Sequence, residues 1–210
     1  MVPFLSPRRA IIKAATAGLT VLIASSAWAT TFELDSSHSE VGFRVRHFTV
    51  SWTRGRFDVF SGTLELDEKD VNKSKVKVTI DARSVNTNLK MRDDNLRGAD
   101  FLDVANNPTL TFESRRIESA SGRLRITGDL TIRGVTRSVA LDAEPISPEI
   151  KGLFGEYRRG TRAVGKISRK EFGLKSNTVL EAGALAVGDE IEITLEVEFK
   201  RKAQGAVDNP

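Results

Sequence analysis

Apolar and polar residues alternate along most of the chain from Glu40 onward. Strict alternation is typical of β-strands that have one buried face and one wet face. The clearest run lies near the C-terminus, where the apolar positions are Ile191, Ile193, Leu195, Val197 and Phe199. The pattern as a whole predicts eight strands, at about residues 40–52, 57–67, 75–82, 109–118, 123–132, 137–143, 162–168 and 190–200.

Most of these predicted strands are joined by short links that contain Gly, Asn or Ser, which indicates antiparallel neighbours. The last strand is long and fully alternating, so an unpaired edge there would promote aggregation, and we expect it to pair with the first strand. The pattern therefore predicts an all-β fold, an eight-stranded antiparallel up-and-down barrel. A two-sheet sandwich is the alternative. The inward positions are mainly Val, Ile and Leu, so a ligand held inside would be apolar.

The segment 84–112 interrupts this pattern between the third and fourth strands. It is rich in charged and amide side chains, and its apolar residues recur at roughly helical intervals. We expect a helical or loop insert that covers an opening of the barrel. The apolar residues are Leu89, Met91, Leu96, Phe101, Leu102 and Val104.

The N-terminal residues resemble an export signal. Arg8, Arg9 and Lys13 precede an apolar run, and Ala27-Trp28-Ala29 matches the usual cleavage pattern. The sequence predicts a cleaved signal peptide over 1–29 and a periplasmic or secreted protein, exported by the general or the twin-arginine route. An uncleaved anchor is the alternative. The remainder is interpreted as one barrel domain over 30–202 and a disordered tail over 203–210.

Charge and cysteine content exclude several functions. The chain has 32 basic and 28 acidic residues, and loss of the three basic residues of the signal leaves a net charge of only +1, so nucleic-acid binding has no support from bulk charge. The absence of cysteine excludes disulfides, thiolate metal sites and thiol nucleophiles. No nucleophile elbow, phosphate loop or metal motif is present. We therefore predict no catalytic residues, no metal and no cofactor.

Six motifs, in order, resemble those of the YceI family of exported lipid-binding proteins. They lie at 35–47, 84–102, 108–114, 128–136, 167–174 and 187–191. The resemblance implies a lipocalin-like barrel that binds a long-chain amphiphile: a polyisoprenoid, a quinone-like or a fatty-acyl compound. Asn95 stands where the family usually has His, and Gly98 where it usually has Ser. A head-group role for a titrating histidine therefore cannot be transferred.

The candidate ligand-binding residues come from the strands and from the insert. Arg97 is the best candidate for binding a phosphate or carboxylate head group, because its guanidinium suits both. His47 shares the inward parity of Phe43 and is either a ligand contact or a hydrogen-bonded core residue. The full set is Phe43, Val45, His47, Phe57, Val78, Asn95, Arg97, Phe101, Phe112, Leu130 and Ile132.

The preferred function is non-enzymatic binding of a long-chain lipid or isoprenoid, for sequestration, carriage or stress response. The resemblance is compatible with transient membrane contact and with a homodimer. The basic run 158–162 is either an exposed loop or a site for a pyrophosphate head or an anionic membrane surface. One alternative function is an enzyme that uses His38, His47, Asp94 or Asp100 in proton transfer on a lipid or quinone. The other is an accessory interaction module with an exposed apolar patch.

Overall fold

The computed structural model describes residues 29–178 and 186–201. The predicted signal peptide and C-terminal tail lie outside these residues. Among them, one α-helix, α1 (Lys90–Arg97), and four short 3-10 helices accompany twelve strands. No described helix is long and apolar enough to cross a membrane. The strands are β1 (Thr30–Leu34), β2 (Glu40–His47), β3 (Ser51–Phe57), β4 (Phe60–Leu66), β5 (Lys75–Asp81), β6 (Val85–Asn86), β7 (Thr109–Ala120), β8 (Arg123–Ile132), β9 (Val135–Ala143), β10 (Ile150–Lys151), β11 (Tyr157–Ser168) and β12 (Val187–Arg201).

Several of these strands are two halves of one longer barrel strand. β1 and β2 follow each other along the same side of β12, where Leu34 is paired with Phe199 and Glu40 with Glu196. On the next strand, β4 pairs with β1 and β3 pairs with β2. In the same way β5 and β6 pair with β4 and β3, and β9 and β10 both pair with β11. The described segments therefore form eight barrel strands.

The barrel is closed by β12, which pairs with β11 along its length on one side and with β1 and β2 on the other. All the pairings are antiparallel. The predicted eight-stranded up-and-down barrel is confirmed, including the pairing of the last strand with the first. Closure leaves no long free edge on β12, as expected for a long amphipathic strand.

The barrel has two ends of different construction. The terminal end holds Thr30, Arg201 and the loop 144–156, and the insert end holds the turn 48–50, residues 87–108 and the loop after β11. At the terminal end the ring of Phe32 is fully buried. The guanidinium carbons of Arg159 and Arg201 each lie 5.7 Å from the centroid of its ring. This end therefore combines a buried aromatic ring with two cation–π contacts.

The hairpin turn between β2 and β3 is strained. Its central residues Phe48 and Thr49 have φ angles of 48° and 63°, and the amide N–H of Val50 donates to the carbonyl of His47 at 3.1 Å. Both positive φ angles are typical of the type I′ turn, for which Asn-Gly is preferred and a bulky side chain is costly.

Replacing Phe48-Thr49 by Asn-Gly is therefore expected to stabilise the fold by about 1 kcal/mol, because the left-handed conformation penalises side chains with a Cβ. Urea denaturation of the purified mature chain measures the change. Val50→Gly is the matched control: Val50 is also exposed in this turn, but its φ is not positive. A loss of stability in the Asn-Gly variant would contradict the prediction.

Candidate functional site

The barrel encloses a cavity of about 220 Å³. One water molecule requires roughly 10–15 Å³ of such space, so the cavity is large enough for a ligand of many atoms. Gly42, Thr161 and Arg169 are exceptions in a wall that is otherwise made of Val, Leu, Ile, Phe and Ala side chains. Cavities with apolar walls of this kind stay dry and bind apolar molecules.

Glycines on two strands determine the shape of the wall. A Cβ atom at Gly55 would overlap the ring of Phe43, and one at Gly128 would lie 2.6 Å from a ring carbon of Phe112. These glycines let both phenyl rings lie flat across the neighbouring strand. The large apolar side chains therefore line the wall and leave the centre of the barrel open.

The segment 84–112 forms a lid over the insert end. Leu96 and Leu102 contribute to the cavity wall from this segment. On one side, Arg97 donates from Nε to the carbonyl of Arg83 at 2.7 Å and from Nη2 to that of Val85 at 2.8 Å. Further along the segment, the carbonyl of Phe101 accepts from Nη1 of Arg133 at 3.1 Å. The predicted insert is therefore fixed to β6 and to the turn between β8 and β9, on either side of β7.

The start of the lid is fixed by a buried hydrogen-bond cluster. Oδ1 of Asp93 accepts from the amide N–H of Thr87 at 2.8 Å and from its hydroxyl at 2.5 Å. Arg92 donates from Nη2 to the carbonyl of Thr87 at 2.8 Å. Thr87 and Asp93 are both buried, so loss of the carboxylate would leave two donors of Thr87 without this acceptor.

Asp93→Ala is therefore expected to destabilise the protein by about 2 kcal/mol, the usual cost of leaving buried donors unpaired. Chemical denaturation checks this value, and amide hydrogen exchange should show faster opening of the lid. Asp94→Ala is the control: that carboxylate is exposed and pairs with Lys90 and Arg97 at the surface, where such pairs contribute little. Equal effects of the two substitutions would contradict the assignment of Asp93 as the lid anchor.

The structure brings one part of the predicted ligand-binding set together on the cavity wall. These residues lie on β2, β3, β5, β7 and β8, and each has the inward parity expected from the alternation. They are Phe43, Phe57, Val78, Phe112, Leu130 and Ile132.

The rest of the predicted set lies off this wall. Val45 and His47 share the parity of Phe43 but sit where β2 runs beyond the cavity, next to a register shift of β12 between Val187 and Ile191. The ring of His47 lies 4.0 Å from that of Phe48, centroid to centroid.

On the lid, Asn95 is exposed on α1 and Phe101 is half-buried against the core. Arg97 is occupied by its backbone carbonyl acceptors and by the carboxylate of Asp94 at 3.1 Å.

Many apolar residues of the wall were not in the predicted set, and neither was its charged residue, Arg169. Arg169 begins the 3-10 helix Arg169–Phe172, directly after β11 at the insert end. Of the described residues that line the cavity, it is the one with a charged side chain. The sequence pattern could have predicted its position, because residues 163, 165, 167 and 169 alternate along β11 and its end and therefore share one face of the strand. Ala163 and Ile167, which share that parity, also lie on the wall.

The opening motif 35–47 forms an ionic cluster outside the cavity, at the break between β1 and β2. The buried carboxylate of Asp35 accepts from the hydroxyl of Ser37 at 2.6 Å and from Nη1 of Arg158 at 2.9 Å, and Nδ1 of His38 lies 3.1 Å from it. Burial alone would raise the pKa of Asp35, but the hydrogen bonds from Ser37, His38 and Arg158 outweigh it and hold the pKa well below its usual range.

The same cluster explains the basic run 158–162. Asp35, His38 and Glu198 lie close enough together to ligate a metal ion, but Arg158 bonds to both carboxylates and already supplies the positive charge. Arg159 pairs with Glu68, and Arg162 pairs with Glu196. The run is therefore neutralised by neighbouring strands, which favours a structural role.

The enzymatic alternative required His38, His47, Asp94 and Asp100 to converge. His38 contacts Asp35 near the terminal end, whereas His47 ends β2 at the insert end and Asp94 pairs with Lys90 and Arg97. Among the described residues no hydrogen bond or ion pair joins any two of these four. The geometry gives proton transfer by this set no support.

Comparisons with known proteins agree with the fold and the motifs. A protein of the UPF0312 group from Pseudomonas aeruginosa is 37% identical over 187 residues, covering 88% of this chain and 94% of the relative. The crystal structure of the YCEI protein of Campylobacter jejuni is 33% identical and superposes with a TM-score of 0.63, covering 81% of this chain and 97% of that one.

A polyisoprenoid-binding domain from Saccharophagus degradans shares the fold, with a TM-score of 0.57 and 18% identity over 80% of this chain and 97% of the domain. Residues 32–199 match the family described as the YceI-like domain. The chain belongs to the YceI-like family.

Proposed function

We propose that this protein is a non-enzymatic binder of one long-chain apolar or amphiphilic molecule, which it holds inside the barrel. The observation that carries the proposal is the 220 Å³ cavity with an almost wholly apolar wall, to which Leu96 and Leu102 of the lid contribute. The Saccharophagus degradans neighbour is a polyisoprenoid-binding domain, which supports an isoprenoid or similar chain as the ligand class.

Burial of the chain supplies the binding energy. Each methylene that moves from water to the cavity contributes about 0.8 kcal/mol. A chain of ten such groups would contribute roughly 8 kcal/mol, enough to offset much of the cost of immobilising the ligand. Specificity for chain length would follow from the distance between Phe32 and the lid.

The role follows from the compartment that the N-terminus predicts. The signal-like segment over 1–29 supports a periplasmic or secreted location, where an apolar molecule needs a carrier to cross water. Sequestration, carriage between membranes and a stress response all require reversible binding and no bond-breaking step. Transient membrane contact and homodimer formation stay predictions.

The test is to purify the mature protein from its native compartment, extract it with organic solvent and identify the extract by mass spectrometry. We expect one class of long-chain lipid in near-stoichiometric amount, and saturable rebinding of that lipid by the stripped protein. An extract without lipid, together with no saturable binding of fatty-acyl or isoprenoid chains, would contradict the proposal.

A further inference from the structure

The cavity wall contains a buried arginine that forms no ion pair with any described carboxylate. The side chain of Arg169 is only 3% exposed. Its Nε donates to the carbonyl of Gly188 at 3.0 Å, and its Nη1 donates to the carbonyls of Leu174 and Ser176 at 2.6 and 2.9 Å. A guanidinium has five N–H donors, so these bonds account for three of them and leave both donors of Nη2.

Nη2 has no hydrogen-bond partner among the described residues and no accessible surface. The nearby carboxylate of Asp189 is bonded elsewhere, to the hydroxyl of Ser168 at 2.7 Å and to the amide of Lys170 at 3.2 Å. No carboxylate of the described chain lies within ion-pair distance of Arg169. Burial lowers the pKa of Arg169, and the opposing effect of Asp189 is smaller.

Such an arrangement is costly for a structural arginine. An unpaired buried polar group carries an energetic penalty, and a buried charge carries a larger one unless it is paired. Uncharged hydrogen-bond donors would satisfy the three backbone carbonyls that Arg169 binds as well as its guanidinium does. An anionic acceptor that reaches Nη2 from the cavity would satisfy the two remaining donors and supply the missing negative charge.

We propose that Arg169 is the head-group site of the cavity, and that it binds an anionic oxygen group, a carboxylate or a phosphate, at one end of the long-chain ligand. This inference rests on the proposed function, since it assumes that the chain of the ligand fills the barrel. The ligand lies with its head at the insert end, under the lid, and its tail toward Phe32.

On binding, the head group replaces the apolar atoms that cover Nη2 of Arg169. Arg169 lines the cavity and its Nη2 has no accessible surface, so a head group that reaches Nη2 displaces apolar atoms and forms charge-assisted hydrogen bonds with both free donors. A neutral head group would displace the same atoms and gain weaker bonds. The site therefore selects for acids over alcohols of the same chain.

The experiment compares matched ligands that differ only at the head: farnesyl phosphate with farnesol, and dodecanoate with dodecanol. Wild-type mature protein, stripped of lipid, is titrated with each by displacement of a fluorescent fatty-acid probe. We expect the anionic member of each pair to bind about tenfold to a hundredfold more tightly. A preference for the anion in the farnesyl pair alone identifies a phosphate site, and one in the dodecyl pair alone identifies a carboxylate site. Either result supports the proposal.

Arg169→Met removes the donors and keeps an apolar side chain of similar length. It should lose affinity for the anionic ligands only, so that both members of each pair bind alike. Arg125→Met is the control, since Arg125 pairs with Asp142 on the outside of the barrel and does not line the cavity. We expect the control to keep the wild-type preference. The same loss of preference in both variants would overturn the inference.

A second test uses only the wild-type protein, so it holds even if Arg169→Met does not fold. A crystal structure of the wild-type protein with farnesyl phosphate should place the phosphate within hydrogen-bond distance of Nη2, and a phosphate at the terminal end would overturn the inference. Equal binding of acid and alcohol by the wild type would overturn it too and leave the proposed function standing. Binding of none of the four ligands would defeat the proposed function and this inference together.

Discussion

Ala163→Phe is expected to weaken binding of long-chain ligands on the order of 100-fold while leaving the barrel folded. Ala163 lies in the middle of β11, is buried, and faces the cavity. A phenyl ring at this position would take the space of roughly four methylenes of the ligand, each contributing about 0.8 kcal/mol. That loss of about 3 kcal/mol corresponds to a factor on the order of 100 in Kd.

The substitution should cost little stability, because the added ring enters existing space and does not push packed atoms apart. Overpacking normally costs about 1–3 kcal/mol when no such space exists. Titration with a fluorescent fatty-acid probe measures the affinity, and thermal unfolding measures the stability of the same samples.

Val164→Phe is the matched control for this experiment. Val164 is the next residue of β11, so its side chain points to the outside of the barrel. The same increase in size there should leave the affinity unchanged. If both variants bound as tightly as the wild type, the interior of the barrel would not be the binding site.

The fold could be predicted from the sequence because alternation is a local signal that survives in each strand. In β12 the alternating residues Ile191 to Phe199 predict both the strand and its buried face. The need to protect such a long edge predicts closure onto the first strand, and the observed pairing with β2 follows. Strand β1 was missed: it precedes the predicted strand 40–52 and is separated from β2 by the 3-10 turn Ser36–His38. The predicted strand 40–52 also ran through the turn between β2 and β3.

The residues of the cavity wall could be predicted only as far as the alternation along each strand shows which side chains point inward. Parity places Phe43 and Phe112 inside, but it cannot tell where along a strand the cavity ends. His47 shows this limit: it follows Phe43 at even spacing, yet it lies beyond the cavity beside the bulge of β12. The length of the open interior depends on how Phe32 and the lid pack, and those contacts are long-range.

The lid shows a second limit. Its existence follows from a charged insert with apolar residues at helical spacing, and Leu96 and Leu102 do face the cavity. The partners of its arginines do not follow from spacing, because a guanidinium binds a backbone carbonyl as readily as a ligand. Arg97 and Arg169 both lie in family motifs. What separates them is their hydrogen bonding in three dimensions: Nη2 of Arg97 donates to the carbonyl of Val85, whereas Nη2 of Arg169 has no partner among the described residues.

Asp35→Asn is expected to lower the stability of the protein by about 3 kcal/mol, since removing one partner of a buried ionic cluster typically costs 3–5 kcal/mol. For a domain of this size the melting temperature should fall by roughly 6–12 °C. Asparagine keeps the shape of the side chain but turns an amide N–H₂ toward the donors of Arg158 or Ser37. Asp142→Asn is the control, because the pair of Asp142 with Arg125 is more than half exposed on both sides and should change stability little.

The pH dependence of this difference separates charge from shape. The pKa of Asp35 is lower in the folded state than its usual value of 3.8, so its contribution is fully present above about pH 5 and is lost as the pH falls below 4 toward the folded value. Other carboxylates titrate in the same range in both proteins and cancel in the comparison. The gap in stability between wild type and Asp35→Asn should therefore shrink as the pH falls below 4. A gap that stayed constant in acid would mean that the packing of Asp35, and not its charge, stabilises the join between β1 and β2.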